Sequence, residues 1–468
     1  MRAKVVAALC FVVILPACTS EGRNGAELRP RAPRTSPTSE TTTVIGLVGT
    51  MSGVDSWRGT DAFEGAQFGV QALNRNLDPD HPRFELVTLD DQGDAGRAAA
   101  LVAELAANPR TAGVIYAGPT RGLPPAQAAL ANAGVPALLC YGDLYSARLL
   151  RSHLFQMSPP YLWEARTIAS YVHRDRRYRT VGALVESSLD GRTAAAALRS
   201  GFDTFGARGP VIERYSPAEV DVDSALSELR AKHVSAIVVQ ASPRGFDAIV
   251  GELRSMGASY RTTRLALRGG RAKSAWRPQV VGLDAAIHSS ERAPAAGTVA
   301  ADTYARGAHY LPVPSLAAFR RGFVDWWGEQ PLGWELRAYQ AVQMIGWAKL
   351  RTDAGGDVAV TLERLRGARF GGLDMTLGPD DHTSVEQTTI GLWTVPRLGV
   401  PVPERERLPD SLPWVPLARA FSIDGEKTSV LPEDWGDLFR GETRRDGPAP
   451  RFERMRFGVT TPRSDPVH

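Results

Sequence analysis

Few side chains in this sequence stand where bond-making chemistry needs them. The eight histidines (His81, His153, His173, His233, His288, His309, His382 and His468) include no pair four residues apart and none framed by glutamate in the manner of a catalytic zinc site. No Gly-x-Ser-x-Gly elbow, Ser-x-x-Lys pair or phosphate-cradling glycine loop occurs. Cys10 lies in an apolar leader and Cys18 at its end, so Cys140 alone remains in the body, too few for an internal disulfide or a zinc set. Cys140 is the one candidate nucleophile, and a lone cysteine at a strand end is expected to pack as a small hydrophobe instead. Asp90, Asp91 and Asp94 lack the spacing of a calcium loop and are expected to cap the next helix. Trp326 and Trp327 could stack on a sugar. With Phe319 and Phe323 on the same helix, however, Trp327 is expected in the core and Trp326 at most at a partner contact. No catalytic residue, metal or cofactor is expected, which leaves reversible binding as the chemistry available.

Charge and composition limit the partners. The 55 Lys and Arg against 51 Asp and Glu give a net charge of +4 with both signs interspersed, not the basic stripe of a nucleic-acid binder. At 468 residues and 43% hydrophobic, the chain can build about two or three cores of ordinary size.

The elements that would position a binding site alternate along the chain. Residues 44–48 (VIGLV) form a β-branched apolar run of the kind buried on both faces of a parallel sheet. A helix is expected over 61–74, a strand over 84–89, a helix capped by Asp94, a strand over 113–116, a helix over 124–132 and a strand over 136–139. The pattern restarts with a helix over 163–173, a strand over 180–185, helices over 193–205 and 225–232, a strand over 235–240 and a helix over 245–256. The fold class expected is α/β: two doubly wound parallel-sheet lobes, with a ligand cleft where both sets of strand ends face each other. From 399 to 468 the sequence is Pro-rich with scattered apolar anchors, expected to drape on a lobe or remain partly unstructured.

The N-terminus carries its own signal. Arg2 and Lys4 precede an apolar stretch over 5–15, shorter than the ~20 residues a membrane span requires. Its ending, Leu15-Pro16-Ala17-Cys18, resembles the lipobox of bacterial lipoproteins. That resemblance implies a signal peptide over 1–18 and a lipid on Cys18. The mature protein would then be held on the outer face of the cell membrane, where acyl burial contributes ~0.8 kcal/mol per CH₂. Residues 19–43, polar and rich in Pro, Ser and Thr, are expected to remain an extended tether.

Four further stretches resemble the branched-chain amino-acid-binding family of ABC importers, whose members have the type I periplasmic binding fold. They are IGLVGTMSGVDSWRGTDAFEGAQFGVQALN, VTLDDQGDAGRAAALVAEL, YAGPTRGLPPAQAALANAGVPALLCYGDLYSARL and FRRGFVDWWGEQPLGWELRAYQAVQMI, the last followed by FGGLDMTLGPDDHTS and TTIGLWTV. The resemblance implies a first lobe over 44–158 plus 294–382 and a second over 159–293 plus 383–398. Three crossovers near Pro159, Ala293 and Asp380 would join them. It places ligand contacts at Ser52, Trp57, Thr120, Tyr141, Gly142 and Asp143 in the first lobe, and at Tyr161, Asp190, Ser242 and Arg268 in the second. Asp143 falls where the family has a hydroxyl and Asp190 where it has an aromatic ring. Arg268 falls in the stretch where the family has its ammonium-binding acid. These departures imply an amino-acid-like, amine or polar metabolite in place of a plain leucine. A ligand touching both lobes would stabilise a closed form that docks, as a monomer, on an ABC permease. A ligand sensor for a membrane signalling partner, or a member that no longer binds, are the alternatives the same fold allows.

Overall fold

The computed structural model describes residues 42–384, except 54, 79–80, 142–152, 220, 257–275, 284–298, 304–313, 329–330, 332–333 and 371–372. It also describes 390–394, 415–416, 420–423 and 426–429. Cys18, the leader and tether, Gly142, Asp143, Arg268 and the crossover expected near Ala293 lie outside the described residues.

The first sheet has five parallel strands in the order β2-β1-β3-β4-β5. They are β1 (Thr43–Gly49), β2 (Phe84–Asp90), β3 (Thr111–Ala117), β4 (Ala137–Leu139) and β5 (Leu154–Gln156). Strand β1 is buried along its whole length, as its unbroken apolar run requires. Its alternate side chains feed two cores. Val44 and Val48 pack with Val102, Leu105 and Leu130, whereas Ile45 and Leu47 pack with Leu73, Val342 and Ile345. Helices α1 (Ser56–Asn76), α2 (Ala95–Ala107) and α3 (Leu123–Ala133) make the connections.

The second sheet has seven strands in the order β14-β13-β10-β9-β8-β6-β7. Strands β6 (Val181–Glu186), β7 (Val211–Tyr215), β8 (Ala236–Gln240), β9 (Gln279–Gly282) and β10 (Val299–Thr303) are parallel. Strands β13 (Ile390–Thr394) and β14 (Val415–Pro416) join antiparallel, so the sheet is mixed at one end. Around it lie α4 (Tyr161–Ala169), α5 (Leu189–Asp203), α6 (Asp223–Ala231) and α7 (Pro243–Ser255). The segment 294–382, assigned from sequence to the first lobe, divides here. Its strand β10, Val299–Thr303, pairs with β9 and β13 and so belongs with the second sheet.

After β10 come α8 (Pro314–Trp327), α9 (Trp334–Lys349) and α10 (Val358–Leu362), then the hairpin of β11 (Ala368–Phe370) and β12 (Leu373–Met375). Helix α9 lies along α1, so close that Gly69 meets Tyr339 Cα and Val342 with no room for a larger side chain. On α8, Phe319 and Phe323 are buried against Phe68 and Tyr339, while Trp326 is exposed, as their helical spacing predicts. A second hairpin, β15 (Ala420–Ile423) and β16 (Glu426–Ser429), follows β14.

Two chain passages run side by side where the sheets connect. Gln156 N donates to His382 O at 2.8 Å and Ser384 N to Gln156 O at 2.9 Å, pairing Gln156 with Thr383 in parallel. The first passage continues through 157–160 into α4, and the second continues toward β13. The His382 ring lies stacked on Phe155, with centroids 4.4 Å apart, and its Nδ1 is 2.9 Å from Leu154 O.

Candidate functional site

In a parallel α/β sheet the helix after each strand begins at the strand's carboxyl end, so loops and helix N-termini with their unpaired N–H groups converge along one edge. In the first sheet, Gly49 of β1 is level with Asp90 of β2 and Ala117 of β3. Two aspartates tie the loop after β1 to the end of β2. Asp90 accepts Met51 N at 3.0 Å and Gln92 N at 2.9 Å, and Asp91 accepts Thr50 Oγ1 at 2.8 Å and Gly93 N at 2.7 Å. Burial holds the Asp91 carboxyl above the usual carboxylate range, with the bonds from Gly93 and Thr50 opposing it. Asp94 caps α2 through Arg97 N at 2.6 Å, as the sequence predicts.

Ser52 and Thr120, both half-buried, stand on this edge after β1 and β3. Thr120 opens a short 3-10 turn, Thr120–Gly122, held by Tyr116 Oη donating to Pro119 O at 2.6 Å. Gly118 before it has no alternative, because a Cβ there would strike Asp91 Oδ2 and the Tyr116 ring.

Next to these loops stands an aromatic wall. Trp57, in the first turn of α1, meets Tyr141 edge-on with centroids 5.6 Å apart. Trp334, the first residue of α9, lies 4.4 Å from Tyr141 and 5.9 Å from Trp57. The Arg58 guanidinium sits over the Trp57 and Tyr141 rings at 5.4 and 5.7 Å, and Arg337 over Trp334 at 4.2 Å. Tyr141 is buried and its hydroxyl donates to Arg58 O; burial pushes that hydroxyl well above its ordinary range. Two buried carboxylates, Asp61 and Glu335, lie within electrostatic reach of Tyr141, and Arg337 itself is 1% exposed. Cys140 is wholly buried and burial pushes its thiol up to about 12, so it stays protonated and packs as an apolar group.

In the second sheet, Asp190 is half-buried in the first turn of α5, where the helix N-terminus favours a carboxylate. Ser242 caps α7, its hydroxyl accepting Gly245 N at 3.2 Å while its own N–H donates to Glu186 Oε1 at 2.8 Å. Tyr161 opens α4 but is 9% exposed and packs into the core beneath the second sheet. Six of the residues proposed from sequence thus fall into two groups. Ser52, Trp57, Thr120 and Tyr141 share the edge of the first sheet, and Asp190 and Ser242 share the edge of the second.

Three residues of these edges escaped the sequence reading. Trp334 sits in a stretch matched only as a closing helix; a tryptophan at the first turn of a buried helix was the available signal. Arg337, one turn on, is a buried cation in that same helix. Glu186 ends an otherwise apolar run, VGALV, and a charge placed there was the clue. Among the described residues no group of three or more His, Cys, Asp or Glu is placed to hold a metal ion, and no helix is long and apolar enough to cross a membrane.

Comparison with known proteins agrees with this architecture. A family model described as periplasmic binding protein matches residues 42–394. No curated protein matches the sequence. Among solved structures, the chain is similar to LivJ, a branched-chain amino acid transporter substrate-binding protein from Streptococcus pneumoniae in complex with isoleucine. The TM-score is 0.63 at 19% identity, over 76% of this chain and 96% of that one. It is also similar to a solute-binding protein of an ABC transporter from Rhodopseudomonas palustris in complex with 3,4-dihydroxybenzoic acid (TM-score 0.65, 15% identity, 84% and 99% covered). A type 1 periplasmic binding protein from Bordetella pertussis gives a TM-score of 0.64 at 14% identity, over 80% and 100%. With its two strand-end edges, its paired connecting passages and a family match spanning nearly all the described residues, the chain belongs to the periplasmic binding protein family and has the type I α/β fold.

Proposed function

We propose that the chain is an extracytoplasmic solute-binding lipoprotein that captures a small amino-acid-like solute between its two strand-end edges and delivers it to an ABC permease. The observation that carries this reading is the edge of the first sheet, where the Trp57–Tyr141–Trp334 wall adjoins the N-terminus of α1 and the hydroxyls of Ser52 and Thr120. A helix N-terminus with adjacent hydroxyls suits a carboxylate, and a half-buried indole suits an apolar body. Asp190, on the second edge, supplies the opposite charge for an ammonium group. The similar proteins from Streptococcus pneumoniae and Rhodopseudomonas palustris hold isoleucine and a dihydroxybenzoic acid, so both chemistries belong among the candidates.

The test is a thermal-shift and calorimetry panel of amino acids, small amines, amides and hydroxybenzoates. A bound compound at 100 times its Kd adds about 2.7 kcal/mol of stability, which raises the melting temperature by several degrees. A flat response across the panel would overturn capture. The anchor is tested separately. Cys18→Ser is expected to move the protein from the membrane fraction to the soluble one, and unchanged membrane association would remove the lipid from the account.

A further inference from the structure

At the carboxyl end of β6 a single carboxylate joins the ends of three neighbouring strands of the second sheet. Glu186 is 8% exposed, yet it sits at a strand tip and not in the apolar core. Its Oε1 accepts from Ser242 N at 2.8 Å and from Tyr215 Oη at 3.2 Å, and its Oε2 accepts from Ser188 Oγ at 3.3 Å. Its backbone N donates to Gln240 Oε1 at 3.1 Å. Register explains why these groups meet: Glu186 is level with Tyr215 of β7, and Val185 with Gln240 of β8.

Two of the acceptor bonds reach the residues that cap the neighbouring helices. Ser188 accepts Gly191 N at 3.1 Å to cap α5, and Ser242 accepts Gly245 N to cap α7. Both glycines are made necessary by this arrangement. A Cβ on Gly191 would come within 2.7 Å of Glu186 C, and one on Gly245 would strike Tyr215 Oη. Burial and the adjoining Glu186 carboxylate push the Tyr215 hydroxyl far above its ordinary range, so it stays a donor. Three strand ends and two helix N-termini therefore take their positions from one side chain, and Asp190 and Ser242 are carried on those N-termini.

We propose that Glu186 is the positioning residue of the second half-site, fixing where the first turns of α5 and α7 stand relative to the strand ends. This rests on the proposed function only in supposing that a solute meets that edge. The reach and acceptor geometry of the side chain matter here, not its charge. Glu186→Gln keeps an oxygen for Ser242 N and Tyr215 Oη, while its amide nitrogen can donate to Ser188 Oγ. Glu186→Asp keeps the charge but withdraws it by one methylene.

Amide hydrogen exchange on the full chain tests this without any ligand. Glu186→Asp and Glu186→Ala are expected to speed exchange at Ser242, Gly245 and Gly191 by about tenfold or more. Amides in the middle of β6 and β8, such as Ala183 and Val238, should stay as protected as in the unaltered protein, and Glu186→Gln should remain close to it throughout. Rescue by Asp but not Gln would show that charge is what counts and overturn the proposal. Equal acceleration at Ala183 and Val238 would reduce Glu186 to a general stabiliser, and no acceleration at Ser242 would also overturn it. If Glu186→Ala does not fold, the Asp and Gln variants decide the matter between them. With L-leucine as probe, affinity should follow the same order, with Gln near the unaltered protein and Asp and Ala at least about tenfold weaker. If the unaltered protein does not bind leucine, that binding arm bears on the proposed function alone, and the exchange pattern still decides the role of Glu186.

Discussion

Gly65→Ala is expected to destabilise the protein by about 3 kcal/mol, the upper end of overpacking costs, read as a lower urea midpoint. Gly65 lies in the middle of α1, where alanine would ordinarily favour a helix by roughly 0.5–1 kcal/mol. A Cβ there, however, runs into the carbonyl of Glu335 and comes within 2.6 Å of its Cα. Because the obstacle is the main chain of α9, no rotamer change relieves it, and the two helices must separate. Gly251 in α7 provides the contrast, since a Cβ there meets nothing within 4 Å. Gly251→Ala should therefore stabilise by roughly 0.5–1 kcal/mol. The same separation would shift Trp57, on α1, away from Trp334, on α9, so Gly65→Ala should also weaken solute binding. A Gly65→Ala protein as stable as the unaltered one would mean that α1 and α9 pack less closely than described.

The second large effect concerns the wall itself. Trp334→Ala should weaken whichever panel compound binds best by about thirtyfold, roughly 2 kcal/mol, the usual loss for a binding-site aromatic. Trp334 is also 3% exposed and packs between Tyr141 and the Arg337 guanidinium, so the same change should cost about 3 kcal/mol of stability. Trp57 is only half-buried. Trp57→Ala should bring a similar loss of affinity with a much smaller loss of stability, and that split separates a contact surface from a packing element. Calorimetry and urea unfolding on both variants measure it. If affinity survives both changes, the solute does not rest on this wall.

What the sequence made legible, and what it hid, follows from how local each signal is. The run over 44–48 and the Asp94 cap were read correctly because each is complete within a few residues. Helix α1 begins at Ser56, ahead of the apolar periodicity that starts near Asp61, because its first turn is held by the loop after β1, with Gly59 N donating to Thr50 O. No strand was expected over β5, β7 or β9: β5 and β9 are three and four residues long, and β7 is mostly half-buried, without an unbroken apolar run like that of β1. The wall and the Glu186 junction were hidden for a different reason. Tyr141 meets Trp334, and Glu186 meets Ser242, only after sheet register and helix packing bring distant segments together. The family resemblance pointed to Trp57 and Tyr141 one at a time, without showing that they meet. It gave no sign of Glu186, whose partners are caps and strand tips contributed by three separate strands.

Strand β14 has an effect beyond its two residues. Val415 and Pro416 lie antiparallel against Thr394 and Trp393, which makes them the outermost row of the second sheet. An unpaired sheet margin is a template on which another chain can add a strand. One of the two residues of β14 is a proline, which has no N–H to donate, so at most one backbone amide of this strand can face an incoming chain. Among the described residues this margin is therefore finished like a selvedge, with almost no donor on which a second chain could zip.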